Sequence, residues 1–170
     1  MRARTIDTTV IGLGNVVMSD DGLGVHAVNR LQARFDLGGG VEVVEGGTAG
    51  LLLLPYLADS RRVIIVDAID VGERPGTLVR LDGADWASAF LVRLTPHDVG
   101  LVDLLGAAEI SGSWPEELVL HGAQPACTTI GTELTEAVEA AVDPLIEAIV
   151  TDLARWGRSV APAKESAACA

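Results

Sequence analysis

The segment at residues 61–67, RRVIIVD, constrains the fold more than any other part of the chain. Val63, Ile64, Ile65 and Val66 are consecutive large aliphatic residues. Side chains alternate between the two sides of a strand, so this run leaves no polar face. Such a strand must be covered on both sides, the condition of a central strand in a sheet with helices above and below. Residues 8–13 (TTVIGL), 41–45 (VEVVE) and 118–121 (LVLH) read as further short strands. Helical patterns lie between them. Val25, Val28, Leu31 and Phe35 recur at helical spacing after Asp20 and Asp21, and the run stops at Gly38, Gly39 and Gly40. Residues 50–58, 96–108 and 135–156 give the other helices. Pro144 either kinks the last of these or starts its second half. Strands alternating with helices predict an α/β layer fold with a mostly parallel sheet. One strand departs from the pattern. Only nine residues separate Asp67 from Thr77, where TLVRL begins, and a parallel crossover needs a dozen or more. That strand is therefore antiparallel or at an edge.

At 170 residues the chain suits one domain, with enough buried surface to fold without a disulfide or a metal. Only 4% of residues are aromatic, so the core is aliphatic. The net charge of -12 argues against nucleic acid or an anionic membrane as partner. Cys127 and Cys169 are far apart and form no CxxC pair, so a reducing compartment is expected. No apolar signal core opens the sequence, and the apolar run 51–54 is broken by Pro55. The expectation is a cytoplasmic protein with its domain at residues 1–157 and a small, polar, disordered tail at 158–170.

Ligands of open α/β sheets sit beyond the carboxyl ends of the strands, where the winding direction reverses. The loop after the first strand and the end of RRVIIVD are placed to flank that point. IGLGN at residues 11–15 invites a dinucleotide reading, but Val17 stands at the third glycine position. Asp20 and Asp21 also oppose a pyrophosphate there. A tight turn that needs glycine fits better. Of the two acids, one can cap the following helix while the other faces the crevice. Asp67 closes the buried strand, and an acid in that position is expected to be paired or coordinating. Asp70 follows in the loop and reads as solvated. His97, in TPHD, falls in the first turn of a helix, where it can face the same edge. His121 is its rival at the end of the last strand, and His26 beside Arg30 reads as plain surface. Asp21, Asp67 and His97 together form a two-carboxylate, one-imidazole set. Three protein ligands with an open position describe a catalytic metal site. Such donors suit zinc, nickel or iron(II) alike. Spacing alone leaves the set open, because its members come from distant segments.

The motifs IGLGNVVMSDDGLGVHAVNRL, EGGTAG, VIIVDAID, PGTLVRL, TPHDVGLVDLL, LVLHGAQP and LTEAVEAAV follow one another through residues 8–149. In that order they resemble the hydrogenase maturation endopeptidases, which act on nickel–iron hydrogenase large subunits. The resemblance implies a three-layer fold with a twisted five-stranded sheet between helices. It implies removal of a C-terminal extension from the large-subunit precursor after nickel insertion. It assigns recognition of the bound nickel to the second acid of the pair, the Asp of the DA strand end and the His of the PH motif. These fall on Asp21, Asp67 and His97. Some members carry Glu where this chain has Asp21, one methylene longer in reach. Nickel would arrive with the substrate, with no organic cofactor, and the protein would work as a monomer of aspartyl-type peptidase character. Gly46, Gly47, Thr48 and Gly50 of the GGTAG loop offer backbone N–H groups and close approach, a substrate rim.

No nucleophile is evident. Ser19, Ser60 and Ser88 lie outside any GxSxG pattern. The metal would polarise the scissile carbonyl or activate a water. Three other readings use the same residues differently. A hydrolase with resident zinc would carry its own metal. A nickel chaperone or sensor would bind nickel and cut nothing. A cysteine hydrolase would pair Cys127 with His97 or His121, although no helix N-terminus is evident near Cys127 to lower its pKa.

Overall fold

The computed structural model describes residues 6–82 and 99–163. Strand β1 (Ile6–Leu13) leads through a turn of 3-10 helix at Ser19–Gly22 into helix α1 (Leu23–Arg34). The two-residue strand β2 (Phe35–Asp36) and strand β3 (Val41–Gly47) follow. A second 3-10 turn, Gly50–Leu53, continues into helix α2 (Leu54–Asp59). Then come β4 (Ser60–Ala68), β5 (Leu78–Asp82), α3 (Val99–Ile110), β6 (Glu117–Ala123), α4 (Glu136–Arg155) and β7 (Ala161–Pro162). Strands β3, β1, β4, β6 and β5 form one sheet in that order. The first four run parallel, and β5 pairs antiparallel with β6 at the edge. The expected three-layer α/β architecture with a mostly parallel five-stranded sheet is therefore the observed one. The short connection after Asp67 places β5 at the edge, as its length requires.

The aliphatic run in β4 explains why the sheet has two covered faces. Val63 and Ile65 enter one core with Leu57 of α2 and Leu104 of α3. Ile64 and Val66 enter the other with Val28 of α1 and Val142, Leu145 and Ile149 of α4. All four strand residues are fully buried. Truncating one of them to alanine should cost about 2–5 kcal/mol. Among the described residues, no helix is long and apolar enough to cross a membrane.

The elements differ from expectation at their ends. Helix α1 stops at Arg34, and Phe35 is extended, pairing with Pro162. Within the segment expected to be a tail, Ala161 and Pro162 form this short β2–β7 ladder, and residues 164–170 lie outside the described part. Strand β3 continues through Gly46 and Gly47, so the GGTAG segment is strand end and turn, not wholly loop. Helix α4 runs through Pro144 as one helix. Its facing side is apolar, and that packing offsets the hydrogen bond lost at proline. His26 is half-buried, and its Nε2 is enclosed with no hydrogen-bond partner among the described residues, so it is not plain surface.

The winding direction reverses between β1 and β4. From β1 the chain crosses by α1 to β3 on one side, whereas from β4 it proceeds to β5 and β6 on the other. The crevice of an α/β sheet opens beyond the carboxyl ends of such a strand pair. Gly24 lets α1 settle there: a methyl group at that position would collide with the carbonyl oxygens of Val66 and Leu13.

Candidate active site

The carboxyl ends of β1, β3 and β4 and the start of α3 enclose a cleft of about 170 Å³. Asp21 and Asp67 both border it, together with Gly14, Gly47, Thr48 and Gly50. Leu13, Leu53, Leu101 and Leu104 supply an apolar floor.

Asp21 reaches the cleft because the loop after β1 is held tightly. Gly14 adopts φ 110°, a left-handed conformation that favours glycine, and a side chain there would collide with the Asp21 carbonyl. The Gly14 N–H donates to the Gly47 carbonyl at 3.0 Å, joining this loop to the end of β3. The Asn15 N–H donates to Asp21 Oδ2 at 2.7 Å. One oxygen of Asp21 is thus pinned by the loop from which it projects. Asp67 is the penultimate residue of β4, half-buried, and its Oδ1 accepts the N–H of Ala68 at 2.8 Å. Both carboxylates are oriented by backbone donors, which hold each side chain in place.

Asp20, the other acid of the pair, turns the opposite way and is fully buried. Its carboxylate accepts from the N–H groups of Ala126, Cys127 and Thr135 and from the Thr135 hydroxyl, at 2.7–3.0 Å. The division of labour expected within the pair is realised, but Asp20 binds the N-terminal end of α4, not the helix that follows it. Nothing in the local sequence signals that partner, which lies more than a hundred residues away.

Gly47, Thr48 and Gly50 line the cleft, whereas Gly46 is buried with its Cα against the side chains of Ile11, Leu13 and Leu53. His97 lies outside the described residues; Gly100 and Leu101, early in α3, line the cleft. Among the described residues, no group of three or more His, Cys, Asp and Glu side chains is arranged to hold a metal ion.

The rival histidine occupies a different environment. His121 is 1% exposed and its Nε2 lies 2.7 Å from Asp152 Oδ2. Arg80 of β5 donates to both oxygens of Asp152, at 2.9 and 3.2 Å, and also pairs with Asp82. Burial pushes the His121 pKa below its ordinary 6.5, against the opposing pull of Asp152. Burial works to raise the Asp152 pKa, but the hydrogen bonds from Arg80 and His121 hold it below 3.8. The result is a neutral imidazole donating to a carboxylate whose charge Arg80 balances. This group belongs to the face covered by α4, with Val119 of the same strand in that core. His121 is therefore a structural residue, and it does not meet Cys127.

Cys127 lies in the loop after β6, a free, half-buried thiol whose Sγ is 3.1 Å from the Thr129 hydroxyl. Hydrogen bonding by the Thr129 side chain and backbone draws its pKa down. The local sequence offers no helix N-terminus for this, and the shift comes instead from a threonine two residues on. Asp70 is exposed, as expected of a loop acid, and its Oδ1 accepts from the Gln124 amide and the Gly72 N–H.

With this geometry in place, comparison with known proteins is decisive. The sequence profile of a family described as hydrogenase maturation protease matches residues 25–152. The chain belongs to the hydrogenase maturation proteases. It is 35% identical over 154 residues to the hydrogenase 2 maturation protease of Escherichia coli strain K12, covering 90% of this chain and 94% of that one. It is 36% identical to the hydrogenase expression/formation protein HupD of Rhodobacter capsulatus, over 89% of this chain and 73% of the relative. Among solved structures, the hydrogenase maturating endopeptidase HybD from E. coli superposes with a TM-score of 0.87 at 34% identity, covering 95% of this chain and all of that one. The nickel–iron hydrogenase maturation protease HybD from Thermococcus kodakarensis gives 0.72 at 27% identity, over 88% and 99% of the two chains. This maturation protease is a peptide hydrolase. Its cleft at the sheet edge, bordered by two oriented carboxylates, is the candidate active site.

Proposed function

We propose that this protease removes the C-terminal extension of a nickel–iron hydrogenase large-subunit precursor once nickel is in place, and that it reads the substrate's nickel with Asp21, Asp67 and His97. One observation carries the reading. Asp21, from the turn after β1, and Asp67, near the end of β4, border a single cleft together with Gly47 and Thr48. Two hard oxygen donors with an imidazole suit a divalent ion whose other positions are already filled. Nickel held by the precursor would complete its coordination on these residues. Docking would place the scissile bond against the rim formed by Gly47, Thr48 and Gly50, and the ion would polarise the carbonyl or activate a water. Recognition then depends on nickel occupancy, and cleavage acts as a checkpoint on metal insertion.

The test is incubation of the purified protease with nickel-loaded and nickel-free precursor, followed by the mass of the large subunit. Only the loaded form should lose its extension. Rapid cleavage of nickel-free precursor by metal-stripped enzyme in chelator would reject the mechanism and leave an ordinary peptidase. Nickel binding without any cleavage would leave a chaperone, and stoichiometric zinc in active enzyme a resident-metal hydrolase.

A further inference from the structure

Asp21 borders two clefts, not one. Besides the cleft it shares with Asp67, it lines a second of about 160 Å³ with Asp70, Gln124 and the loop of Ala126, Cys127 and Thr128. The two are nearly equal in volume and share Asp21 in their walls. An endopeptidase must hold its substrate on both sides of the bond it cuts.

The walls of the second cleft are fixed by polar groups that have no other evident use. Asp20 accepts four hydrogen bonds from Ala126, Cys127 and Thr135, and its own N–H donates to the Cys127 carbonyl at 3.0 Å. A fully buried carboxylate is costly to desolvate and persists only when its acceptors are filled, as here. Next to it, Ser19 is the one non-glycine at positive φ among the described residues, at 50°. Its N–H donates to the Gly131 carbonyl at 2.8 Å and its hydroxyl to the Thr129 carbonyl at 3.0 Å. Strain of this kind is kept where the surroundings over-determine the backbone. At the start of the loop after β6, the Gln124 amide oxygen accepts from Val71 and Glu73 while its NH₂ holds Asp70. The loop that carries Asp21, the loop after β6 and the Asp70 loop are thus tied together around the cleft.

We propose that this second cleft is a substrate subsite, taking the peptide segment on the far side of the scissile bond from Gly47 and Thr48, and that Asp20 is the positioning residue that builds its wall. The inference rests on the peptidase reading above. The described walls carry the carboxylates of Asp21 and Asp70, the Thr128 hydroxyl and a thiol, with no positive charge. The segment bound there is neutral or basic and not acidic.

Ala126 is exposed, so Ala126→Trp occludes the cleft without entering a core. With nickel-loaded precursor, this variant should raise KM by about tenfold while kcat stays within about twofold, the signature of lost binding and not lost chemistry. Asp20→Asn sets an NH₂ against backbone donors and should raise KM in the same direction, provided circular dichroism shows the fold intact. A KM for Ala126→Trp equal to wild type would overturn the subsite, whether or not kcat falls. Failure of the wild-type enzyme to cut the precursor is a separate result, which would remove the peptidase reading itself.

Discussion

Two parts of this protein combine acids with a histidine in the sequence and use them in opposite ways. On the face covered by α4, His121 and Asp152 are buried, 2.7 Å apart, and Arg80 closes the group. At the carboxyl edge of the sheet, Asp21 and Asp67 border an open cleft, each held by a backbone N–H. In the first region His121 Nε2, both oxygens of Asp152 and the Arg80 guanidinium are paired with one another within the protein. In the second, the backbone fixes the carboxylates while the cleft keeps them open to an incoming substrate. Residue type does not distinguish the two regions, and neither does distance from the strand ends, since His121 pairs in register with Val66, one residue before Asp67. The side of the sheet on which each side chain lies does.

The comparison is tested first where the largest effect is expected. Asp21→Ala, Asp67→Ala and His97→Ala should each abolish precursor processing while leaving the thermal midpoint close to wild type. Processing by a folded Asp67→Ala enzyme at the wild-type rate would remove the site assignment. The converse holds on the other face. Asp152→Ala strands a buried imidazole and the guanidinium of Arg80, and denaturant titration should show a loss of about 2–4 kcal/mol, allowing for the partial exposure of Arg80. The folded fraction should keep its kcat.

The pH dependence of stability sharpens the same contrast. The native pKa of His121 lies below its ordinary 6.5, so in the window beneath 6.5 the unfolded chain binds a proton that the native protein refuses. Stability should therefore fall as pH drops through that range. Asp152, held below 3.8, adds a second loss on further acidification, because its favourable pairing exists only while it is ionised. Chemical denaturation from pH 7.5 to 5 should show the first slope in wild type and not in His121→Asn, which should also retain substantial peptidase activity. Inactivity of folded His121→Asn as complete as that of His97→Ala would mean the wrong imidazole had been assigned to the site. The smallest effect is expected at Cys127. Cys127→Ser should keep kcat within about twofold, because no imidazole among the described residues meets this thiol to activate it. A folded, inactive Cys127→Ser enzyme would restore the cysteine-hydrolase reading.

Much of the fold was legible because its causes are local. The unbroken aliphatic run at Val63–Val66 demands two covered faces, and the nine residues after Asp67 forbid a parallel return. The element ends were less legible. Phe35 carries the helical period onward, yet it turns extended to meet Pro162, a partner more than a hundred residues later. Composition is blind to that pairing. Within the site, Asp67 was readable as an acid at a strand end and Asp21 as one of an acid pair before a helix, and both border the cleft with Gly47, Thr48 and Gly50, whereas Gly46 serves core packing.

What the chain by itself determined is the alternation of buried strands and helices, the edge position of β5 and the placing of its acids at the carboxyl ends of strands. All of these follow from periodicity and chain length, which act over a few residues. Only the tertiary structure decided that Asp20 faces inward to anchor the loop after β6, that His121 is sealed by Asp152 and Arg80, and that Asp21 stands between two clefts. Those outcomes depend on groups brought together from opposite ends of the sequence, where desolvation and hydrogen-bond geometry select the partner and linear spacing carries no record of it.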